Sequence, residues 1–226
     1  MLETLLLNNQ GSYAPVMPFD FSSQGIFIFD LTENNTALAN TDLSNTEAFT
    51  NYIFDELKKN NTPVGIGKYN EDRIIYSRSK VFDQSEPRSI HLGIDIWAEP
   101  HTPVYAPLDG MLHSFKNNDA YGDYGPTLIL EHSINGVAFY TLYGHLSTES
   151  LSGKEEGMRI SKGNKIATLG TSRENVEWPP HLHFQIIKDL QGKKGDFYGV
   201  CAPSERTYYT ALCPDPNLIL NIKKLK

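Results

Sequence analysis

From about residue 85 the apolar positions fall in short runs of period two, separated by Gly, Pro and Asn, which predicts strands rather than helices. The clearest piece is "TLILEHSINGVAFYTLYGHL", two β-rich runs joined by Asn135-Gly136. That dipeptide favours the type I′ turn of a tight hairpin. The chain before this region has a different texture. Residues 1 to about 45 are rich in Asn, Ser and Thr around one strand-like run, "GIFIFDL", and read as an irregular arm or a small β element. From Ser44 the period becomes helical, with Phe49, Tyr52, Ile53 and Leu57 on one stripe. Ser44 and Glu47 predict a capping box, Leu43 a staple onto Ala48, and "KKNNTPVG" the end of the helix. The expected organisation is an N-terminal region over residues 1–84 with one helix at about 45–60, a β-rich domain over 85–190, and a tail over 191–226 packing on it.

Composition narrows the function classes. The chain has 226 residues, of which 39% are hydrophobic and 21% charged, an ordinary globular balance. Its net charge of −7 argues against nucleic acid as a partner, because binding a phosphate backbone rests on clustered Lys and Arg. No run approaches 18 apolar residues, so no membrane span is expected. The first basic residue is Lys58 and the apolar run Leu5 to Leu7 is short, so a signal peptide is not expected and the cytoplasm is the expected location. Cys201 and Cys213 can pair, but reduced thiols fit an unexported chain better, and their spacing matches no zinc-cysteine motif. The sequence leaves the oligomeric state open.

The candidate chemistry begins at "PPHLHFQ". Alternation on a strand turns His181 and His183 to one face and Leu182 and Phe184 to the other. A second constellation, "IHLGIDIW", places His91, Gly93 and Asp95 on one face of an extended segment, with no side chain at Gly93 to obstruct a metal. Catalytic zinc commonly takes three protein nitrogen or oxygen ligands and leaves one position open. His91, Asp95 and one histidine of the HLH pair meet that requirement and leave the other histidine free. In "LYGHL", alternation puts His145 on the face of Phe139, Thr141 and Tyr143, from which it is expected to reach the site as a general acid or base.

"HLGID", "TPVYAPLDG", "LYGHLS", "SKGNKIATLG" and "HLHF", in that order over about residues 88 to 188, resemble the lysostaphin-type zinc peptidases, a family of peptidoglycan endopeptidases. The longer pattern, with "VGIGKYNEDRIIY", "WPPHLHFQ" and "CPDPNLIL", is similar to a branch also found fused to aminotransferase-type proteins. The resemblance implies a mainly β fold, an antiparallel sheet or sandwich of the duplicated hybrid motif type, beside a small α+β N-terminal region. It implies one Zn2+ per chain on His91, Asp95 and His183, with His145 and His181 as the catalytic pair that activates water and stabilises the transition state. It implies metalloendopeptidase activity on a peptide or a peptidoglycan-derived substrate, and, as the alternative to the cytoplasm, a location in the cell envelope or outside the cell. The sequence departs from the family before HLH, where "GTSRENVEWPP" replaces a short Gly-rich turn and puts Trp178 at the rim.

Gln185, Tyr143 and backbone carbonyls are the candidates to orient the imidazoles. His113 and His132 lie in strand-like runs and read as structural, and His101 as an exposed turn residue. Trp178 and Tyr121 to Tyr124 line a peptide groove or simply cover the sheet. Two other readings remain open: a non-catalytic relative that binds wall peptides or a partner protein, and a domain whose zinc is regulatory or structural.

Overall fold

In the computed structural model, residues 1–21, 25–78 and 86–226 are described. The boundary expected at residue 84 lies outside them. The strands, in chain order, are β1 (Ile26–Ile28), β2 (Val64–Gly67), β3 (Ile90–His91), β4 (Ile94–Trp97), β5 (Pro103–Tyr105), β6 (Gly110–Asn118), β7 (Gly125–Ile134), β8 (Val137–Gly144), β9 (Arg159–Ile160), β10 (Lys165–Thr168), β11 (His181–Ile187) and β12 (Val200–Cys201). Eight of them form one mixed sheet in the order β1-β2-β4-β11-β8-β7-β6-β9. Only β1 and β2 pair in parallel; the other neighbours are antiparallel. Two further ladders join β5 to β10 and β3 to β12. The architecture is thus mainly β, and the sheet extends through β1 and β2 into the N-terminal region.

The hairpin β7–β8 closes as expected: Ile134 pairs with Val137, and Asn135 and Gly136 have φ of 52° and 79°. The N-terminal region holds more than the one helix expected: Leu2–Asn8 and Thr36–Ala39 form two short helices where an irregular arm or small β element was expected. The expected helix runs Thr46–Lys59, burying Phe49, Ile53 and Leu57. Its cap differs from the expectation. Asn45, not Ser44, accepts the Ala48 N–H, while the Ser44 hydroxyl is bonded to Asp42. Asn is as good an N-cap as Ser, and here the helix begins one residue later.

The two faces of the sheet are covered differently. On one face Ile94, Ile96, Leu182, Phe184, Leu128, Leu130, Phe139 and Tyr143 pack with Val104 of β5 and Ile166 and Ala167 of β10. On the other, the helix closes over β1, β2 and β4 through Phe29, Phe49, Ile53, Leu57, Trp97 and Trp178. Leu92, Tyr124, Ile129, Leu142, Phe197, Cys201 and Cys213 form a third cluster. The last two are buried free thiols.

Candidate metal centre

The ladder β4–β11 builds the centre of the site. Its register sets His183 opposite Asp95 and His181 opposite Trp97, so alternation turns these four side chains to one face. Leu182 and Phe184 point into the core on the other. His91 arrives by a different route. It ends β3, the chain bends at Leu92-Gly93, and β4 begins at Ile94, so HxxxD is not the continuous extended segment expected from its alternation. The bend makes Gly93 necessary. A Cβ there would lie 2.6 Å from the His183 ring and 2.8 Å from the Phe184 carbonyl oxygen.

His91, Asp95 and His183 converge in the buried interior. His91 Nε2 lies 2.9 Å from His183 Nδ1, and Asp95 Oδ1 lies 3.2 Å from each of those nitrogens. Zinc bonds of about 2.0–2.1 Å at tetrahedral angles would separate ligand atoms by about 3.3 Å. The tautomers strengthen the fit. His91 Nδ1–H donates to the Lys68 carbonyl at 3.1 Å, and His183 Nε2–H donates to Gln185 Oε1 at 2.8 Å. The Gln185 amide is turned that way because its Nε2 donates to the Tyr198 carbonyl and the Cys213 sulfur. Each ring has therefore spent its proton outward. Two lone pairs and a carboxylate oxygen face one another, an arrangement that a cation between them satisfies. Among the orienting candidates Gln185 and backbone carbonyls serve, whereas the Tyr143 hydroxyl bonds to Thr141 in the core.

His181 and His145 stand beside these three, their rings 4.0 Å apart. His181 Nδ1–H donates to the Pro179 carbonyl at 2.7 Å, leaving Nε2 without a proton and 3.9 Å from Asp95 Oδ1. Its ring stacks on Trp97 at 4.1 Å. His145 does not reach the site as alternation predicted. Gly144, the register partner of His183, is on the site face, so strict alternation would send residue 145 to the core with Tyr143. The strand ends at Gly144, and His145 adopts φ of 62°, turning it to the site. The Tyr124 carbonyl and the Gly170 N–H pin this backbone at 2.9 and 3.0 Å. His145 Nδ1 is buried with no hydrogen-bond partner among the described residues.

Burial lowers the histidines toward the neutral form, His91 to about 3 and His181 to about 4. His145 is also lowered well below the ordinary range, by burial and then by His181 and His183. Burial alone would raise the Asp95 carboxyl, but His91, Arg73 and His181 together hold it well below its usual value.

Asp95, His145, His181 and His183, but not His91 or Arg73, line a cavity of about 210 Å³ walled by Tyr76, Trp97, Tyr124 and Trp178, with Asp123 and Asp196 also on its lining. Trp178 is 3% exposed, a wall rather than the rim expected of it. Tyr121 is exposed, and its hydroxyl bonds to the Ser44 carbonyl. His132 is buried in the opposite face, His113 packs on Tyr140, and His101 occupies an exposed turn. Sequence reasoning missed Glu71 and Arg73, which sit behind Asp95. Their cue was faint: two opposite charges one residue apart in "YNEDRIIY", which otherwise reads as a polar turn.

Residues 89–196 match the family described as peptidase family M23. A protein of Haemophilus influenzae named as an uncharacterized metalloprotease is 33% identical over 96 residues, 42% of this chain and 18% of that protein. The peptidoglycan DD-endopeptidase ShyA of Vibrio cholerae is 30% identical over 97 residues, 43% of this chain and 20% of that protein. The match thus spans a fifth or less of these relatives' own length. Among solved structures, the catalytic domain of lysostaphin from Staphylococcus simulans is 22% identical, with 54% of this chain and 80% of that chain covered and a TM-score of 0.38. A zinc-containing peptidase from Vibrio cholerae is 28% identical, covering 43% of this chain and 27% of that one at a TM-score of 0.36.

Proposed function

We propose, from the premise that residues 89–196 are a domain of peptidase family M23, that the chain is a zinc metalloendopeptidase cutting peptide bonds in peptidoglycan-derived peptides. The observation that carries this reading is the set of three inward-facing lone pairs on His91, Asp95 and His183 beside two further imidazoles that line an aromatic-walled cavity. The donor set suits zinc, which takes imidazole and carboxylate ligands and keeps a fourth position open in catalytic sites. When bound, zinc supplies a Lewis acid and lowers the pKa of water at that position.

The chain's own groups do the rest. His181, held as the Nδ1–H tautomer by Pro179, offers Nε2 as the base that takes a proton from the attacking water. Asp95 Oδ1 at 3.9 Å stabilises the imidazolium so formed. His145 supplies the second imidazole, on the developing oxyanion or the leaving amine. Both start neutral, because burial and the neighbouring rings disfavour the charged form. The wall peptide as substrate draws on the name of the ShyA relative. The small cavity volume and Trp178 in its wall favour soluble peptides with small residues over intact sacculi.

The test is metal analysis of the purified chain followed by digestion of sacculi, released stem peptides and unrelated oligopeptides. One zinc per chain is expected, with new amino groups that vanish on chelation and return with zinc. Zinc bound without cleavage of any peptide would turn the reading toward a non-catalytic binding domain.

A further inference from the structure

Arg73 belongs to the segment between β2 and β3, ahead of the matched residues 89–196, and its side chain is fully buried. The guanidinium reaches four partners. Nη1 donates to Asp95 Oδ2 at 2.5 Å and to the Tyr76 hydroxyl at 3.2 Å. Nη2 donates to the Lys68 carbonyl at 2.9 Å, and Nε to Glu71 Oε2 at 3.0 Å. Two of these contacts lead directly to candidate metal ligands. Asp95 is divided, one oxygen held by Arg73 and the other facing His91 and His183. The Lys68 carbonyl that Arg73 grips is the same one that accepts His91 Nδ1–H.

We propose that Arg73 is a positioning residue of the metal site: by spanning Asp95 and the Lys68 carbonyl it limits Asp95 to one metal-facing oxygen and fixes the His91 ring. The proposal rests on the reading of His91, Asp95 and His183 as a zinc site.

The local charges agree with this role. A guanidinium beside a ligand would by itself offset the carboxylate that attracts a dication. Glu71, 3% exposed and bonded to Arg73, restores the balance, so Glu71, Arg73 and Asp95 together carry one negative charge facing the metal position. Glu71 is itself held by Lys68 Nζ at 2.9 Å and by the Leu31 N–H at 3.4 Å. The rigid fork matters as much as the charge, since a lysine ammonium cannot span both acceptors in the same plane. The backbone is shaped to admit it. Gly67 of β2 is the register partner of Asp95, and a Cβ there would lie 2.7 Å from Arg73 Nη2. The site thus depends on a strand and loop that precede the family segment.

The experiment uses the full chain. Zinc affinity is measured by competition with a chromophoric chelator, and the Co2+-loaded protein is followed by its visible absorption. Arg73→Lys keeps a cation against Glu71, and the double variant Glu71→Gln/Arg73→Met removes both charges so that neither is left buried alone. Both should bind zinc roughly 10–100-fold more weakly, the scale for partners that orient a ligand, with altered Co2+ bands. A merely structural role would lower the melting temperature of the metal-free protein but leave the Co2+ spectrum unchanged, and that outcome overturns the proposal. So does a folded variant with wild-type zinc affinity. A wild-type chain that binds no zinc removes the underlying site reading as well, which separates the two failures.

Discussion

The sheet carries buried histidines on both faces, and the contrast between them separates a site from a core. On the core face His132 has both nitrogens spent: Nδ1 on the Asp109 carbonyl at 2.8 Å and Nε2 against Thr141 Oγ1 at 2.7 Å. On the other face His91, His181 and His183 each tie one nitrogen to a carbonyl oxygen and leave the second turned inward. Burial pushes His132 down to about 4, as it does His181. A lowered pKa therefore does not distinguish the faces. What does is the unspent lone pair, because a buried acceptor with no donor requires a ligand, and a buried ring with both nitrogens bonded requires none.

The contrast breaks most sharply at Asp95. Replacing it by Ala should strip most of the bound zinc, beyond the roughly 10–100-fold loss expected for an outer partner, while the β-rich circular dichroism persists. The variant should also melt lower, since Arg73 loses one of its two acids. Zinc per chain after dialysis is the measurement, and full occupancy would remove Asp95 from the ligand set.

At His145 the same face divides into holding and reacting. His145→Ala should keep one zinc yet lose turnover by roughly a hundredfold or more, the usual scale for an acid–base group. Loss of zinc together with activity would instead make His145 a ligand.

Much of this face was legible because alternation is a local rule. HLH on a strand places two imidazoles on one side and Leu182 and Phe184 in the core without reference to the rest of the fold. The Asn135-Gly136 turn was legible for the same reason. The rule fails wherever the backbone leaves the extended region. His145 reaches the site through a left-handed residue at the end of β8, and His91 through a bend at Gly93, neither of which alternation encodes. Arg73 and Glu71 were illegible on other grounds: their role depends on β2 pairing with β4, a contact between distant segments. The shift of the helix cap from Ser44 to Asn45 is a smaller case, two good caps in succession with the local Asp42 bond occupying the first.

Gln185 sharpens the comparison at its outer edge. It accepts His183 Nε2–H, so Gln185→Leu should leave that N–H without this acceptor and allow the other tautomer, weakening zinc by roughly 10–100-fold. Gln185→Glu keeps an acceptor and should hold affinity near wild type. Equal affinities for the two variants would place the control of the tautomer elsewhere, the Tyr124 hydroxyl at 3.4 Å being the nearest other group.

The smallest effect lies on the core face and concerns stability alone. Burial holds His132 at about 4 in the folded chain against 6.5 as the ordinary value, with Asp109 opposing this only in part. The unfolded chain therefore takes up a proton near pH 6.5 that the folded chain accepts only near 4, so it binds more protons between those values. The stability that depends on neutral His132 is complete above pH 6.5 and falls as pH drops toward 4. The two values imply a loss on the order of 2 kcal/mol between pH 7 and 5. His132→Gln cannot be protonated, so its urea-unfolding stability should fall less steeply over that range than the wild type's. The other histidines titrate in both proteins and cancel in the difference, and zinc affinity at pH 7 should not change. Parallel slopes for the two proteins would mean that His132 is not buried neutral, and the difference between the faces would then have to be drawn elsewhere.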